Sequence, residues 1–292
     1  MDGQQFQDAP EAAVDELPVT EWETIEIELL IEGIYLAYGH DFRHYLRSSL
    51  RRRIRNRMYQ DGAATVTELL GKVLHEPGYV NKLVNDFSIK VTEMFRDPSF
   101  FKAFRERAVP LLGKLPEIRI WHAGCSTGEE VYSMAILLQE EGLLDKAKIY
   151  ATDMSEHAIE QAKAGKFPLK RMQTFTRNYM QAGGTKEFSA YYSTDRDYAI
   201  FNRSLAEHMM FAQHNLATDS TFNEFHVVLC RNVMIYFNPE LQDRVHRLFH
   251  DSLTDDGILG LGSMEYLIAP WKQHYEELAD GERLFVKKAI NA

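Results

Sequence analysis

Cysteine, long apolar runs and a basic balance are what this chain of 292 residues lacks. Its two cysteines, Cys125 and Cys230, each lie in an apolar stretch and neither has a CxxC or zinc-type spacing, so no structural disulfide or cysteine-held metal is expected. No run of about 18 apolar residues occurs. The amino-terminal stretch, rich in Gln, Asp, Glu and Ala, has neither the charged nor the apolar region of a signal peptide. The expectation is a cytoplasmic, soluble chain that does not insert into a membrane and acts as a monomer. With 33 Lys and Arg against 43 Asp and Glu, a net charge of −10 argues against nucleic acid as the general partner. His246 and His250 stand four apart on a helix predicted over residues 239–253, but no adjacent glutamate or third ligand completes a zinc site. They read as packing or surface residues, and no metal is foreseen.

A hydrophobic content of 45% is enough for one large domain and a smaller one. Residues 1–20 are acidic and poor in large apolar groups, which reads as a disordered tail. From residue 21 to about 113 the pattern is helical: Ile25, Leu29, Leu30 and Ile34 recur at helical spacing, and so do Leu46, Leu50, Ile54 and Met58. From Ile118 the period changes, and β-rich runs at 118–123, 148–152, 225–230 and 258–261 alternate with helical segments. That rhythm predicts an α/β domain over residues 114–292 built on a parallel sheet. Phe188, Tyr191, Tyr192, Tyr198 and Ile200 flank the turn-forming Ser193-Thr194-Asp195, which predicts a β-hairpin subdomain inserted over about residues 185–211.

The first β-run opens into Ala123-Gly-Cys-Ser-Thr-Gly-Glu-Glu130, a small-residue loop before a helix. Gly124 and Gly128 permit a tight turn and close approach of a ligand, while Ser126 and Thr127 can cap the helix. The loop has no phosphate-binding lysine and no GxGxxG spacing, and Glu129 and Glu130 stand where a pyrophosphate would sit. Carboxylates there suit a cationic ligand, such as one with an α-ammonium and a sulfonium. The competing reading is that both only complement the helix N-terminus. Asp153 ends the second β-run, roughly 25 residues on, where an acid can accept hydrogen bonds from a ribose diol or cap the next helix.

With two further runs, Val91-Thr-Glu-Met-Phe-Arg-Asp-Pro-Ser-Phe-Phe101 and Cys230-Arg-Asn-Val-Met-Ile-Tyr-Phe237, these blocks resemble the chemotaxis receptor methyltransferases of the CheR type. The resemblance runs over nearly the whole chain. It implies a Rossmann-like S-adenosylmethionine-dependent sheet behind a small all-helical domain, and a protein-glutamate O-methyltransferase that esterifies glutamates of chemoreceptors, leaving S-adenosylhomocysteine. It further implies that the segment of Thr92 to Arg96 covers the cofactor, that Thr92, Arg96, Glu130 and Asp153 contact it with Gly124 in its loop, that Asn215 and Leu216 flank the adenine, and that Arg231 and Asn232 lie beside it. Arg96 and Tyr236 would be nearest the reacting methyl. Lys90 departs from relatives that carry a cofactor-contacting asparagine there.

The chemistry is consistent with these residue types. A glutamate of ordinary pKa is ionised at neutral pH and needs no general base, so the lack of a His/Asp or Cys/His dyad is expected. Arg96 can orient the carboxylate with its planar fork. Tyr236 can hydrogen-bond substrate or cofactor, or simply pack at a strand end. Arg43, Arg47, Arg51 and Arg55 recur every fourth residue within a run of seven arginines that holds no acid, reading as one positive helical stripe or a solvated face. The resemblance makes that stripe the docking face for receptor helices. Some members also tether a receptor's C-terminal peptide at the β-subdomain by strand addition; Gly183-Gly184 and Tyr191-Tyr192 depart from that version. Two other classes compete: a cofactor-sensing signalling adaptor with little turnover, and a small-molecule methyltransferase.

Overall fold

The computed structural model describes residues 19–88 and 92–289. The expected tail and Lys90 lie outside the described residues, apart from the tail's last two positions. Two compact units emerge: one runs to Ser88 and includes Tyr236–Asn238, the other comprises Ile89–Ile235 and the chain from Pro239.

The first unit is helical. Helix α1 (Glu21–Tyr38) starts where Thr20 Oγ1 accepts a hydrogen bond from Glu23 N and stops at Gly39, whose φ of 75° ends the turn. It buries Ile27, Leu30, Ile31 and Ile34, whereas Ile25 and Leu29 of the expected stripe are exposed. Helix α2 (Arg47–Asp61) buries Leu50 and Ile54, and its N-cap Leu46 is exposed rather than packed. Helices α3 (Val66–His75) and α4 (Tyr79–Phe87) complete the unit. Residues 236–238 belong to it through backbone bonds from Leu46 N to Tyr236 O (2.8 Å) and from Asn238 N to His44 O (2.9 Å). The Tyr45 and Phe237 rings meet edge to face.

The second unit opens with α5 (Pro98–Ala103), a π turn (Phe104–Ala108) and α6 (Val109–Leu112). Phe100, Phe101, Phe104, Ala108 and Leu112 join Ile118 and Ile120 in one core. Helical periodicity therefore continues to residue 112, while the compact units already part after Ser88, because the second unit's core claims these side chains. The strands that follow are β1 (Ile118–Ala123), β2 (Ala147–Asp153), β3 (Lys166–Pro168), β4 (Tyr192–Asp195), β5 (Tyr198–Phe201), β6 (Met209–Gln213), β7 (Phe225–Cys230), β8 (Leu253–Leu261), β9 (Tyr275–Ala279) and β10 (Leu284–Lys287). The seven-stranded sheet has the order β6-β2-β1-β7-β8-β10-β9. Its first five strands run parallel, and β10 pairs antiparallel with both β8 and β9. Strand order reverses between β1 and β7, and the carboxyl ends beside such a reversal are where open α/β sheets bind ligands.

Helix α7 (Glu129–Glu140) is buried on nearly every face from Val131 to Leu138, as expected of a helix covered on all sides. The insertion is larger than the hairpin expected. It includes α8 (Glu156–Ala164) only as its lead-in, then β3, α9 (Met172–Gln181), β4, β5 and α10 (Arg203–Ala206), with a three-stranded sheet of order β3-β5-β4. Ser193, Thr194 and Asp195 lie within β4 rather than in the turn, which falls at Arg196, φ 50°, and Asp197. Met209 to Phe211, expected in the hairpin, belong to the main sheet. Strand β6 lacks a β-branched residue, so its sequence gave no strand signal.

Candidate functional site

The β1 loop is set by backbone bonds: Gly124 N and Cys125 N both donate to Thr152 O at 2.8 Å. Gly124 has φ 81°, and a Cβ there would fall 2.6 Å from Val233 Cγ2 in the loop after β7. Neither Ser126 nor Thr127 caps α7 as expected. Gly128, at φ 94°, is the N-cap, and Thr127 Oγ1 instead donates to Glu129 Oε2 at 2.6 Å. Gly124 thus lets the loop after β7 close against the β1 loop, with Val233 filling the space a side chain there would take.

Asp153 ties two loops together. Its Oδ2 accepts from Ser126 N and its Oδ1 from Ser155 N, both at 2.9 Å. The cap of α8 is Ser155, not Asp153. Burial raises the Asp153 pKa, opposed by the backbone donors of Ser155 and Ser126. Met154 N is a third backbone donor to the same carboxylate. The loop after β6 lies beside it, with His214 N donating to Asp153 O at 3.1 Å. There Asn215 shapes its own turn, accepting from Ala217 N on its side-chain oxygen, and Leu216 is buried.

Glu130 is not a lone acid awaiting a cation. His122 Nδ1 stands 2.9 Å from its Oε1, and Arg231 Nη1 donates to its Oε2 at 2.9 Å. Burial would raise its pKa, but these partners outweigh burial and hold it below the ordinary value. Arg231 also donates to Asp97 Oδ2 at 2.8 Å and to Arg96 O at 3.1 Å. Two carboxylates thus share one guanidinium. Glu129 points elsewhere, to Arg171 Nη1 at 2.7 Å, and burial raises its pKa despite Thr127 and Arg171.

The segment of Thr92 to Asp97 is held against this unit by several side chains. Arg171 donates to Thr92 O, Asn178 Nδ2 to Met94 O, and Ser133 Oγ accepts from Phe95 N. Thr92, Arg96, Gly124, Asn215, Leu216, Arg231 and Asn232 sit on loops, Asp153 ends β2 and Glu130 lies in the first turn of α7, all about the carboxyl ends of β1, β2, β6 and β7. Tyr236 groups instead with the helical unit, where the Arg53 guanidinium lies 5.0 Å over its ring.

Family models match both units: "CheR methyltransferase, SAM binding domain" over residues 90–282 and "CheR methyltransferase, all-alpha domain" over residues 25–88. The chain belongs to the CheR methyltransferase family. It is 49% identical to Cher3 of Pseudomonas putida KT2440 over 90% of this chain and 97% of that one. It is 27% identical to the chemotaxis protein methyltransferase of Listeria innocua, over 80% and 86% of the two chains. It is 28% identical to chemotaxis protein methyltransferase 1 of Pseudomonas aeruginosa, over 77% and 83%. The cofactor of this CheR chain is S-adenosylmethionine, and the site fits it: a left-handed glycine turn at Gly124, one acid in the first turn of α7 and another at the end of β2, and a loop without a phosphate-binding lysine.

Two residues of the CheR site escaped the sequence reading. Arg171 and Glu265 carry no local motif, and their partners lie 42 and 33 residues away. The arginine run also differs from expectation. Arg43 precedes α2 and pairs with Asp41, so it is not on the helical stripe. Arg47 binds Glu28 and Arg55 binds Glu23, both from α1. Arg53 is buried against Phe87 O. Arg51 and Arg52 have no ion pair among the described residues. No described helix is long and apolar enough to cross a membrane.

Proposed function

We propose that this CheR chain transfers the methyl group of S-adenosylmethionine to glutamate carboxylates of chemoreceptors, forming methyl esters. The observation that carries the reading is a strand-end cluster, Glu130 and Asp97 about one Arg231, beside the left-handed glycine turn of the β1 loop. The cofactor, when bound, supplies an electrophilic methyl on a sulfonium. The acceptor carboxylate needs position rather than a base, since it is ionised at neutral pH. Attack joins the carboxylate oxygen to the methyl carbon as the sulfur–methyl bond breaks, and opposite charges disappear. A water-poor site favours that change.

Arg96 would orient the acceptor through its guanidinium, and Tyr236 would hydrogen-bond the substrate or the cofactor's amino-acid moiety. Thr92, Glu130, Asp153, Asn215, Leu216, Arg231 and Asn232 would hold the cofactor. On the helical unit Arg51 and Arg52 would meet acidic receptor helices, with Arg47 and Arg55 keeping α2 in place through their α1 partners.

Incubation with methyl-labelled cofactor and receptor cytoplasmic fragments, followed by mild alkali, tests the reading. Label released as methanol is expected. Base-stable label would point to another acceptor atom, and cofactor binding without label would point to an adaptor.

A further inference from the structure

Strands β7 and β8 pair in parallel with Cys230 opposite Leu261, so the loops that follow them lie side by side. Between those loops stands Glu265, 4% exposed. Its Oε1 accepts from Val233 N at 2.8 Å and Met234 N at 2.7 Å; its Oε2 accepts from Asn232 N at 2.9 Å and Gly262 N at 2.6 Å. All four partners are backbone donors, which fill both acceptor directions of each oxygen. The packing leaves no slack. A Cβ on Gly262 would come within 2.7 Å of both Asn232 N and Glu265 Oε2.

What this carboxylate holds is unusual backbone. Asn232 has φ 62°, a left-handed conformation uncommon outside glycine, which asparagine tolerates better than most residues. Arg231, one residue before, is the guanidinium shared by Glu130 and Asp97. Three consecutive N–H groups, of Asn232, Val233 and Met234, turn toward one buried acid. The Asn232 amide is confined as well: its Nδ2 would lie 3.1 Å from a Cβ on Gly262, so the loop after β8 bounds both the backbone and the side chain of this residue.

We propose that Glu265 is a positioning residue for methyl transfer: its carboxylate fixes the left-handed turn at Asn232 and so sets that side chain toward the cofactor. The inference rests on the reading that Asn232 contacts the cofactor. No atom of Glu265 need touch substrate or cofactor, and glutamine cannot replace it. A glutamine offers one acceptor oxygen and an NH2 that would face two N–H donors.

The test is a cycle of Glu265→Gln, Asn232→Ala and the double variant, each read by calorimetric titration with S-adenosylhomocysteine and by thermal unfolding. Each single change should weaken binding about tenfold, the scale of one or two lost hydrogen bonds. The double should be no weaker than either single, because both remove the same contact. Additive loss, on the order of a hundredfold in the double, would assign Glu265 a general structural role and overturn the proposal, as would wild-type affinity in Glu265→Gln. If Asn232→Ala alone keeps full affinity, the cofactor reading of Asn232 fails, and the inference with it. Should Glu265→Gln not fold, Gly262→Ala presses on the same Asn232 N–H and must give the same non-additive loss.

Discussion

Replacing Arg171 with methionine isolates one ion pair at the site. The methionine keeps an apolar stem over the Phe175 ring, where the guanidinium lies at 4.8 Å, and removes the charge. Two partners lose a donor: Glu129 Oε1, on a side chain only 1% exposed, and the Thr92 carbonyl. Glu129 keeps its bond from Thr127 Oγ1 and is otherwise left as a buried, unpaired carboxylate. The penalty has a ceiling, because the acid can take up a proton instead. From its ordinary pKa of 4.5, protonation costs at most about 4 kcal/mol at pH 7.5 and about 1.4 kcal/mol at pH 5.5.

Arg171 is itself 29% exposed, so solvent screening brings the expected loss near pH 7.5 down to about 2 kcal/mol. The sign follows from the acid's folded pKa, which burial already raises and which loss of Arg171 raises further. The destabilisation is full where the unpaired acid is ionised or must be protonated at neutral pH, and it fades as pH falls. Urea unfolding of wild type and Arg171→Met at pH 7.5 and 5.5 should show the gap shrinking toward a floor of about 1 kcal/mol. Adding Glu129→Gln should recover the pH-dependent part, leaving about 1 kcal/mol for the Thr92 carbonyl. A gap equal at both pH values and untouched by Glu129→Gln would refute the argument.

Arg96→Ala should lower turnover more than affinity for S-adenosylmethionine; equal losses in single-turnover rate and calorimetric affinity would make Arg96 a cofactor clamp instead. Reversing Arg51 and Arg52 to Glu should weaken receptor methylation with the melting temperature held, whereas Arg55→Glu should also destabilise α2 against Glu23; the two are compared by methylation rate and thermal melts. His246, 1% exposed, has its pKa lowered to about 4 by burial. Its stabilising contribution is therefore complete above pH 6.5 and lost as pH falls toward 4, by about 3 kcal/mol, so His246→Leu should flatten that part of the stability–pH profile measured by urea unfolding.

What was legible in the sequence was local. The Gly124 to Glu130 loop and Asp153 announce a strand-end ligand site because each device spans a few residues. The arginine run read as open charge because its acids, Glu28 and Glu23, stand 19 and 32 residues away on another helix. The apolar face of α1 was misplaced by one step, since Ile25 and Leu29 share helical spacing with the buried set but fall at its margin. Ser193-Thr194-Asp195 has turn composition, yet β5 pairs with it residue for residue and pushes the reversal to Arg196. In each case a tertiary partner overrode a local preference.

The same distinction explains how the site keeps its shape. Four non-glycine residues on its loops have left-handed backbone: Phe95 (φ 51°), Asp97 (φ 54°), Ser126 (φ 50°) and Asn232 (φ 62°). Each is pinned by a side chain distant in sequence. Phe95 N donates to Ser133 Oγ, Asp97 accepts from Arg231, Ser126 N donates to Asp153, and Asn232 N donates to Glu265. Strain of roughly 1–3 kcal/mol per residue persists only where surroundings over-determine it. Three of the four pins, Arg231, Asp153 and Glu265, are charged groups at the sheet's carboxyl edge. The buried charges that look like a stability liability are thus what hold these loops in register for a ligand.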